Sequence, residues 1–155
     1  MNKIKLINRS DYKYFYTIST RWMDNDIYGH INNVNYYSYF DTAVNQYLID
    51  KGKLDINKAE IVGFVVHSSC NYLNPISHPE KIQAGITVKK IGNSSVTYGI
   101  GVFKEYEDKV SVYGEFIHVF VNRSNNKSVP IPKKIIKSLK EILMWKKSPK
   151  FLWGL

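Results

Sequence analysis

Between Arg21 and Tyr37 the chain reads Arg-Trp-Met-Asp-Asn-Asp-Ile-Tyr-Gly-His-Ile-Asn-Asn-Val-Asn-Tyr-Tyr. Two acids, Asp24 and Asp26, stand two residues apart. Gly29, His30, Asn32 and Asn33 follow, just ahead of a segment with helical periodicity. These residue types suit acyl chemistry. A carboxylate beside a carbonyl can attack it, or take a proton from a water that does. A helix N-terminus presents N–H groups without intrahelical acceptors and the positive end of the helix dipole. It can therefore hold a developing oxyanion. The same residues are also ordinary helix caps, and spacing alone leaves a capping loop as the plainer reading.

The elements around this stretch follow from hydrophobic period. Tyr36, Tyr37, Phe40, Ala43, Val44, Tyr47 and Leu48 recur at three- and four-residue spacing, which predicts a buried helix over about residues 32–50. Asn32 or Asn33 can cap it and Gly52 can stop it. Residues 14–21 are aromatic and β-branched and read as a strand, and 23–29 as loop. Ile61-Val62-Gly63-Phe64-Val65-Val66 opens a strand over 60–72. Its nearly continuous apolar run predicts cover on both faces. Ile82, Ala84, Ile86 and Val88 alternate with polar or small residues, as do Val96, Tyr98, Ile100 and Val102. Residues 110–122 form another extended run, and Asn74-Pro75, Gly92-Asn93 and Glu107-Asp108 are turns between them. Pro130 and Pro132 precede an amphipathic helix over Lys133 to Trp145. The expected fold class is α+β: one antiparallel sheet of about five strands around one long central helix, with a C-terminal surface helix. The edge of such a sheet favours pairing with a second copy.

Residues 21–41 also carry a resemblance. The stretch is similar to the 4-hydroxybenzoyl-CoA thioesterase type of hotdog-fold acyl-CoA thioesterase, in the branch bearing R-W-x-D-x-D-x-x-G-H-[VI]-N-N-x-x-Y-x-x-Y-F-[DE]. Arg21, Trp22, Asp24, Asp26, Gly29, His30, Ile31, Asn32, Asn33, Tyr36, Tyr39, Phe40 and Asp41 match in register. Val65-Val66-His67 and Tyr72-Leu73-Asn74-Pro75-Ile76 resemble the family's next strand and turn. The likeness runs on through Tyr113-Gly114-Glu115 to Pro130-Ile131-Pro132, about residues 12–140 in all. It implies a hotdog fold and hydrolysis of acyl-CoA to a carboxylic acid and CoA, without a cofactor. It implies Asp26 as general base or nucleophile, His30 as a further catalytic residue, and the Asn33 backbone N–H as the oxyanion donor. Gly29, Asn32, Tyr36, His67 and Ser68 fall at the substrate, and the assembly is a homodimer or homotetramer. A non-catalytic acyl-CoA-binding protein of the same fold and an acyl-carrier-protein thioesterase stand as alternatives. The plant carrier-protein thioesterases carry D-x-N-x-H-V-N-N, whose middle Asn is Tyr28 here. The hotdog dehydratases carry D-x-N-P-x-H, with Asp and His five apart, whereas Asp26 and His30 are four apart.

Composition sets the outer limits. The chain has 155 residues, 44% hydrophobic, 14% aromatic and 23% charged. That fits one globular domain over 1–155, with a core over 12–140 and a basic, aromatic tail over 141–155. Cys70 is the single cysteine, so no internal disulfide forms and a reducing, cytoplasmic setting is expected. No run of about 18 apolar residues is present, and the N-terminus leads into polar sequence. The net charge is +9. Residues 1–122 hold 13 basic and 12 acidic side chains, and residues 123–155 hold 9 against the single Glu141. No nucleic-acid motif accompanies this basicity, so no nucleic-acid partner is expected. Two readings of the tail remain. Its lysines, Lys133, Lys134, Lys137, Lys140, Lys146, Lys147 and Lys150, or Arg123, could meet the phosphates of CoA. Alternatively they are a solvated helix face, with Trp145, Phe151 and Trp153 folded back on the sheet. His67, His78 and His118 show no metal-ligand spacing with Cys70, and no metal site is expected. Ser68, Ser69 and Cys70 are candidates to face an acyl pocket, and Gly63, Gly99 and Gly101 to leave room for a chain.

Overall fold

The computed structural model describes residues 6–144. Five strands, β1 (Tyr14–Ser19), β2 (Ile61–Tyr72), β3 (Lys81–Ile91), β4 (Ser95–Lys104) and β5 (Val112–Asn122), form one sheet in the order β1-β3-β4-β5-β2. Every neighbouring pair is antiparallel. The helix α1 (Asn33–Asp50) lies against one face, and α2 (Lys133–Glu141) follows the last strand.

α1 forms because its apolar residues recur at helical period, and it is held by packing. Tyr36, Tyr39, Phe40, Ala43, Val44, Tyr47 and Leu48 are buried. Tyr39 belongs to this stripe, and Tyr37, expected there, lies half-buried at its margin. The stripe packs on Ile82, Ala84 and Ile86 of β3, Ile100 and Val102 of β4, and Phe116 and Phe120 of β5. Fully burying side chains of this size stabilises by roughly 1.5–3 kcal/mol each.

The opposite sheet face carries a smaller core of Leu6, Tyr12, Phe103 and Val110. This corrects the reading of the glycines. A side chain at Gly101 would strike the Tyr12 ring, and one at Gly99 would strike Leu6. Both glycines admit the chain's own N-terminal segment. A Cβ at Gly63 would sit 2.7 Å from His118 Nδ1. None of the three opens space for an acyl chain.

β2 departs from expectation in a second way. It is an edge strand, and Phe64, Val65 and Val66 are 44%, 43% and 60% exposed. The double-sided cover predicted from its apolar run is not supplied by the described residues. The register shifts between Val65 and His67, so Val66 is a bulge. Cys70 and Tyr72 lie on the α1 side, opposite Gly114 and Val112, and Ser69 lies on the other side, opposite Glu115.

α2 ends at Glu141, short of the expected Trp145. The chain after it runs along the bulge of β3, where Val88 N–H donates to Ile142 O and Met144 N–H to Val88 O, both at 2.8 Å. Trp145, Lys146, Lys147, Lys150, Phe151 and Trp153 lie outside the described residues. No described helix is long and apolar enough to cross a membrane.

Candidate active site

The loop between β1 and α1 is built around a buried carboxylate. Residues 22–24 form a 3-10 turn where plain loop was expected, and Asp24 at its end has no solvent exposure. Asp24 Oδ1 accepts from Arg21 Nε at 2.9 Å and from the other end of the guanidinium at 2.8 Å. Oδ2 accepts from the Arg21 N–H at 2.9 Å and from the Tyr39 hydroxyl at 2.6 Å. Burial alone would raise this carboxyl, but the hydrogen bonds from Tyr39 and Arg21 outweigh it and hold the pKa below the usual value. Burial, and then Asp24 itself, push the Tyr39 phenol far up.

Asp24 also works through its backbone. Its carbonyl accepts from Asn32 N–H and from the Asn35 side-chain amide, both at 2.9 Å. The loop is closed further by Asp26 N–H on His30 O at 2.8 Å and Gly29 N–H on Asp26 O at 3.0 Å. Gly29 has φ +82°, a conformation that side chains disfavour. Ile31 N–H donates to Ile76 O at 2.7 Å, which ties the loop to the turn after β2.

These bonds decide what the start of α1 offers. Asn32 is the N-cap, and its Oδ1 accepts from Val34 N–H at 3.1 Å. Asn35 N–H returns to Asn32 O at 3.0 Å. From Ile31 to Asn35, only Asn33 N–H lacks a protein acceptor among the described residues. The Tyr72 hydroxyl donates to Asn33 O at 3.2 Å from the end of β2.

Asn33 lines a cleft of about 420 Å³ together with Asp26, His30, Ile31 and Tyr36. Tyr28, Tyr72, Leu73, Asn74 and Pro75 line it as well. The Tyr36 and Tyr72 rings meet edge to face, with centroids 5.6 Å apart, and burial pushes the Tyr36 phenol up to about 12. Asp26 is half-buried. One of its oxygens accepts from Tyr28 N–H at 2.9 Å, and the other has no hydrogen bond among the described residues. A carboxylate with one oxygen unpaired among the described residues and a helix start with one unpaired N–H thus line one cleft, an arrangement able to polarise a carbonyl and deliver a nucleophile to it.

Of the residues singled out in the sequence, Asp26, His30, Asn33 and Tyr36 converge on the cleft. Gly29 and Asn32 shape its loop without lining it. His67 and Ser68 are exposed on edge strand β2 and do not line it. Tyr28, Tyr72, Leu73, Asn74 and Pro75 were not singled out as cleft residues. The Tyr72 to Pro75 segment reads in sequence only as a strand end and a turn. The described tail lysines lie elsewhere in the subunit. Lys134 donates to Lys53 O, and the Tyr47 hydroxyl donates to Ser138 O. Both contacts are near the far end of α1, whose 18 residues span about 27 Å from Asn33. Among the described residues no group of three or more His, Cys, Asp or Glu side chains could hold a metal ion.

Residues 20–139 match the family profile of the thioesterase-like superfamily. The chain belongs to that superfamily. Its sheet, with the long helix against one face, is the hotdog fold. This thioesterase-like chain is 47% identical to the PA5185 protein of Pseudomonas aeruginosa strain PAO1, over 88% of this chain and 96% of that one, with a TM-score of 0.87. It is 25% identical over 122 residues to the YsmA protein of Bacillus subtilis strain 168, covering 78% of this chain and 81% of its relative. Slr0204, a 1,4-dihydroxy-2-naphthoyl-CoA thioesterase from Synechocystis, shares 14% identity over 82% and 95% of the two chains, with a TM-score of 0.73. At that identity the likeness is one of fold.

Proposed function

We propose that this member of the superfamily is an acyl-CoA thioesterase of the 4-hydroxybenzoyl-CoA thioesterase type. The observation that carries the reading is the pairing of a free Asn33 N–H with the half-free Asp26 carboxylate in one cleft. The thioester carbonyl oxygen accepts from Asn33 N–H, where the end of the helix stabilises charge as it develops. In the general-base form, Asp26 takes a proton from water as the water oxygen bonds to the carbonyl carbon. The C–S bond then breaks, and CoA leaves as thiolate and is protonated. In the nucleophilic form, Asp26 itself bonds to the carbon, the C–S bond breaks to release CoA as thiolate, and water hydrolyses the resulting anhydride to the acid and free Asp26. His30 and Tyr36 line the same cleft. Superfamily membership supports thioester hydrolysis in general, and the CoA handle is supported by the activity of the Synechocystis fold relative.

The exposed edge of β2 supports a homodimer in which two such edges pair. Pairing would cover Phe64, Val65 and Val66 and bring His67 and Ser68 against a second subunit. The test of function is a panel of short, long and aromatic acyl-CoAs assayed for thiol release. Turnover of at least one of them is expected; no turnover of any contradicts the reading. Label found in Asp26 after single turnover in H₂¹⁸O identifies the nucleophilic form, because solvent oxygen enters that carboxylate only when water attacks the aspartyl carbon of an anhydride.

A further inference from the structure

We propose that Tyr39 is a positioning residue: through the Asp24 carboxylate it holds the start of α1 so that the Asn33 N–H faces the cleft. The inference rests on the thioesterase reading above. Tyr39 does not line the cleft. It is 5% exposed on the buried stripe of α1, and its hydroxyl makes the shortest bond to the fully buried Asp24. Asp24 belongs to the turn before the helix, so this bond ties helix to loop across 15 residues. The Asp24 carbonyl then takes two donors from the helix start, Asn32 N–H and the Asn35 amide.

The consequence is directional. Asn32 N–H is drawn onto the loop, Val34 N–H is taken by the Asn32 side chain and Asn35 N–H by Asn32 O. Asn33 N–H is left over, between groups that are all fixed. An apolar pair at positions 24 and 39 could fill the same space, since buried ions are seldom needed for stability. It would fill it without aiming the Asp24 carbonyl. Misplacing an oxyanion donor by about an ångström is enough to cost rate.

The experiment compares three variants on the acyl-CoA that the wild-type protein turns over fastest. Tyr39→Phe removes the hydroxyl. Tyr47→Phe removes another buried phenol of the same helix, one that bonds Ser138 O at 2.7 Å near the other end. Asn35→Ala removes one donor to the Asp24 carbonyl at a half-buried position and keeps a good helix former. The expected result is kcat per folded molecule down roughly tenfold in Tyr39→Phe with KM within about twofold. Asn35→Ala should fall severalfold with thermal stability unchanged. Tyr47→Phe should lose thermal stability and keep its kcat. A purely structural role would give Tyr39→Phe and Tyr47→Phe the same behaviour. A folded Tyr39→Phe with kcat within about twofold of wild type, or an equal kcat loss in Tyr47→Phe, overturns the proposal. If Tyr39→Phe does not fold, Asn35→Ala decides: a kcat loss at unchanged KM supports the proposal and wild-type kcat overturns it. A wild-type protein inactive on every acyl-CoA overturns the thioesterase reading itself, and this proposal with it.

Discussion

Asp24 and Asp26 stand two residues apart, and their carboxylates face different surroundings. Asp24 is buried and accepts four hydrogen bonds from Arg21 and Tyr39, while Asp26 lines the cleft and one of its oxygens has no hydrogen bond among the described residues. Asp24→Asn should therefore act on stability first. It leaves Tyr39 and Arg21 poorly matched, a loss of roughly 1–3 kcal/mol, readable as a lower denaturant midpoint. His118 predicts a pH dependence. It is 1% exposed among Tyr98, Phe116 and Phe120, and neither ring nitrogen has a hydrogen-bond partner among the described residues. Burial pushes its pKa down from 6.5 to about 4. Between those values the unfolded chain binds the proton and the folded chain does not. Stability is fully present above about pH 6.5 and falls as pH drops toward 4, by roughly 3 kcal/mol from this group. Urea midpoints at pH 7.5 and pH 5 should differ less in His118→Leu than in wild type. Equal pH slopes would remove His118 as the cause. At this scale the loop chemistry is legible in sequence, because Asp, Gly, His and Asn are bound to fixed spacings there. The Tyr39–Asp24 bond is not, since helical period marks Tyr39 only as one more core residue.

At the scale of elements, the helix start is where sequence and structure agree most closely. Asn32 was one of two candidate caps, and the structure selects it through its bond to Val34 N–H. Asn32→Ala should cost about 1 kcal/mol of stability. It should also lower kcat, because a freed Val34 N–H competes for the substrate oxygen. Unchanged kcat in a stable Asn32→Ala protein would detach the cap from the oxyanion site. The strands were legible from alternation, but their neighbours were not. An apolar run in β2 looks the same whether a sheet or a second chain covers it. Glycines in β4 look like space until the packing of Leu6 and Tyr12 is known. Period reports which face is apolar and says nothing of what lies on it.

At the scale of the whole molecule, the exposed apolar edge of β2 and the basic α2 lead to different expectations. Light scattering should show at least a homodimer, and Val66→Lys on the bulge should weaken it; an active species near 18.0 kDa would contradict edge pairing. The α2 lysines lie far from the cleft in one subunit, so a role at CoA requires a neighbouring subunit to present them. Charge reversal at Lys133, Lys134 and Lys137 should leave KM for acyl-CoA and for an acyl-pantetheine unchanged. A rise for acyl-CoA alone would place them at its phosphates. The central claim, thioester hydrolysis driven by Asp26 against the Asn33 N–H, is tested most directly by the turnover of Asp26→Asn. The account predicts a folded protein with kcat reduced roughly 10²–10⁴-fold on the acyl-CoA that wild type prefers. An Asp26→Asn protein with near-wild-type kcat would contradict it.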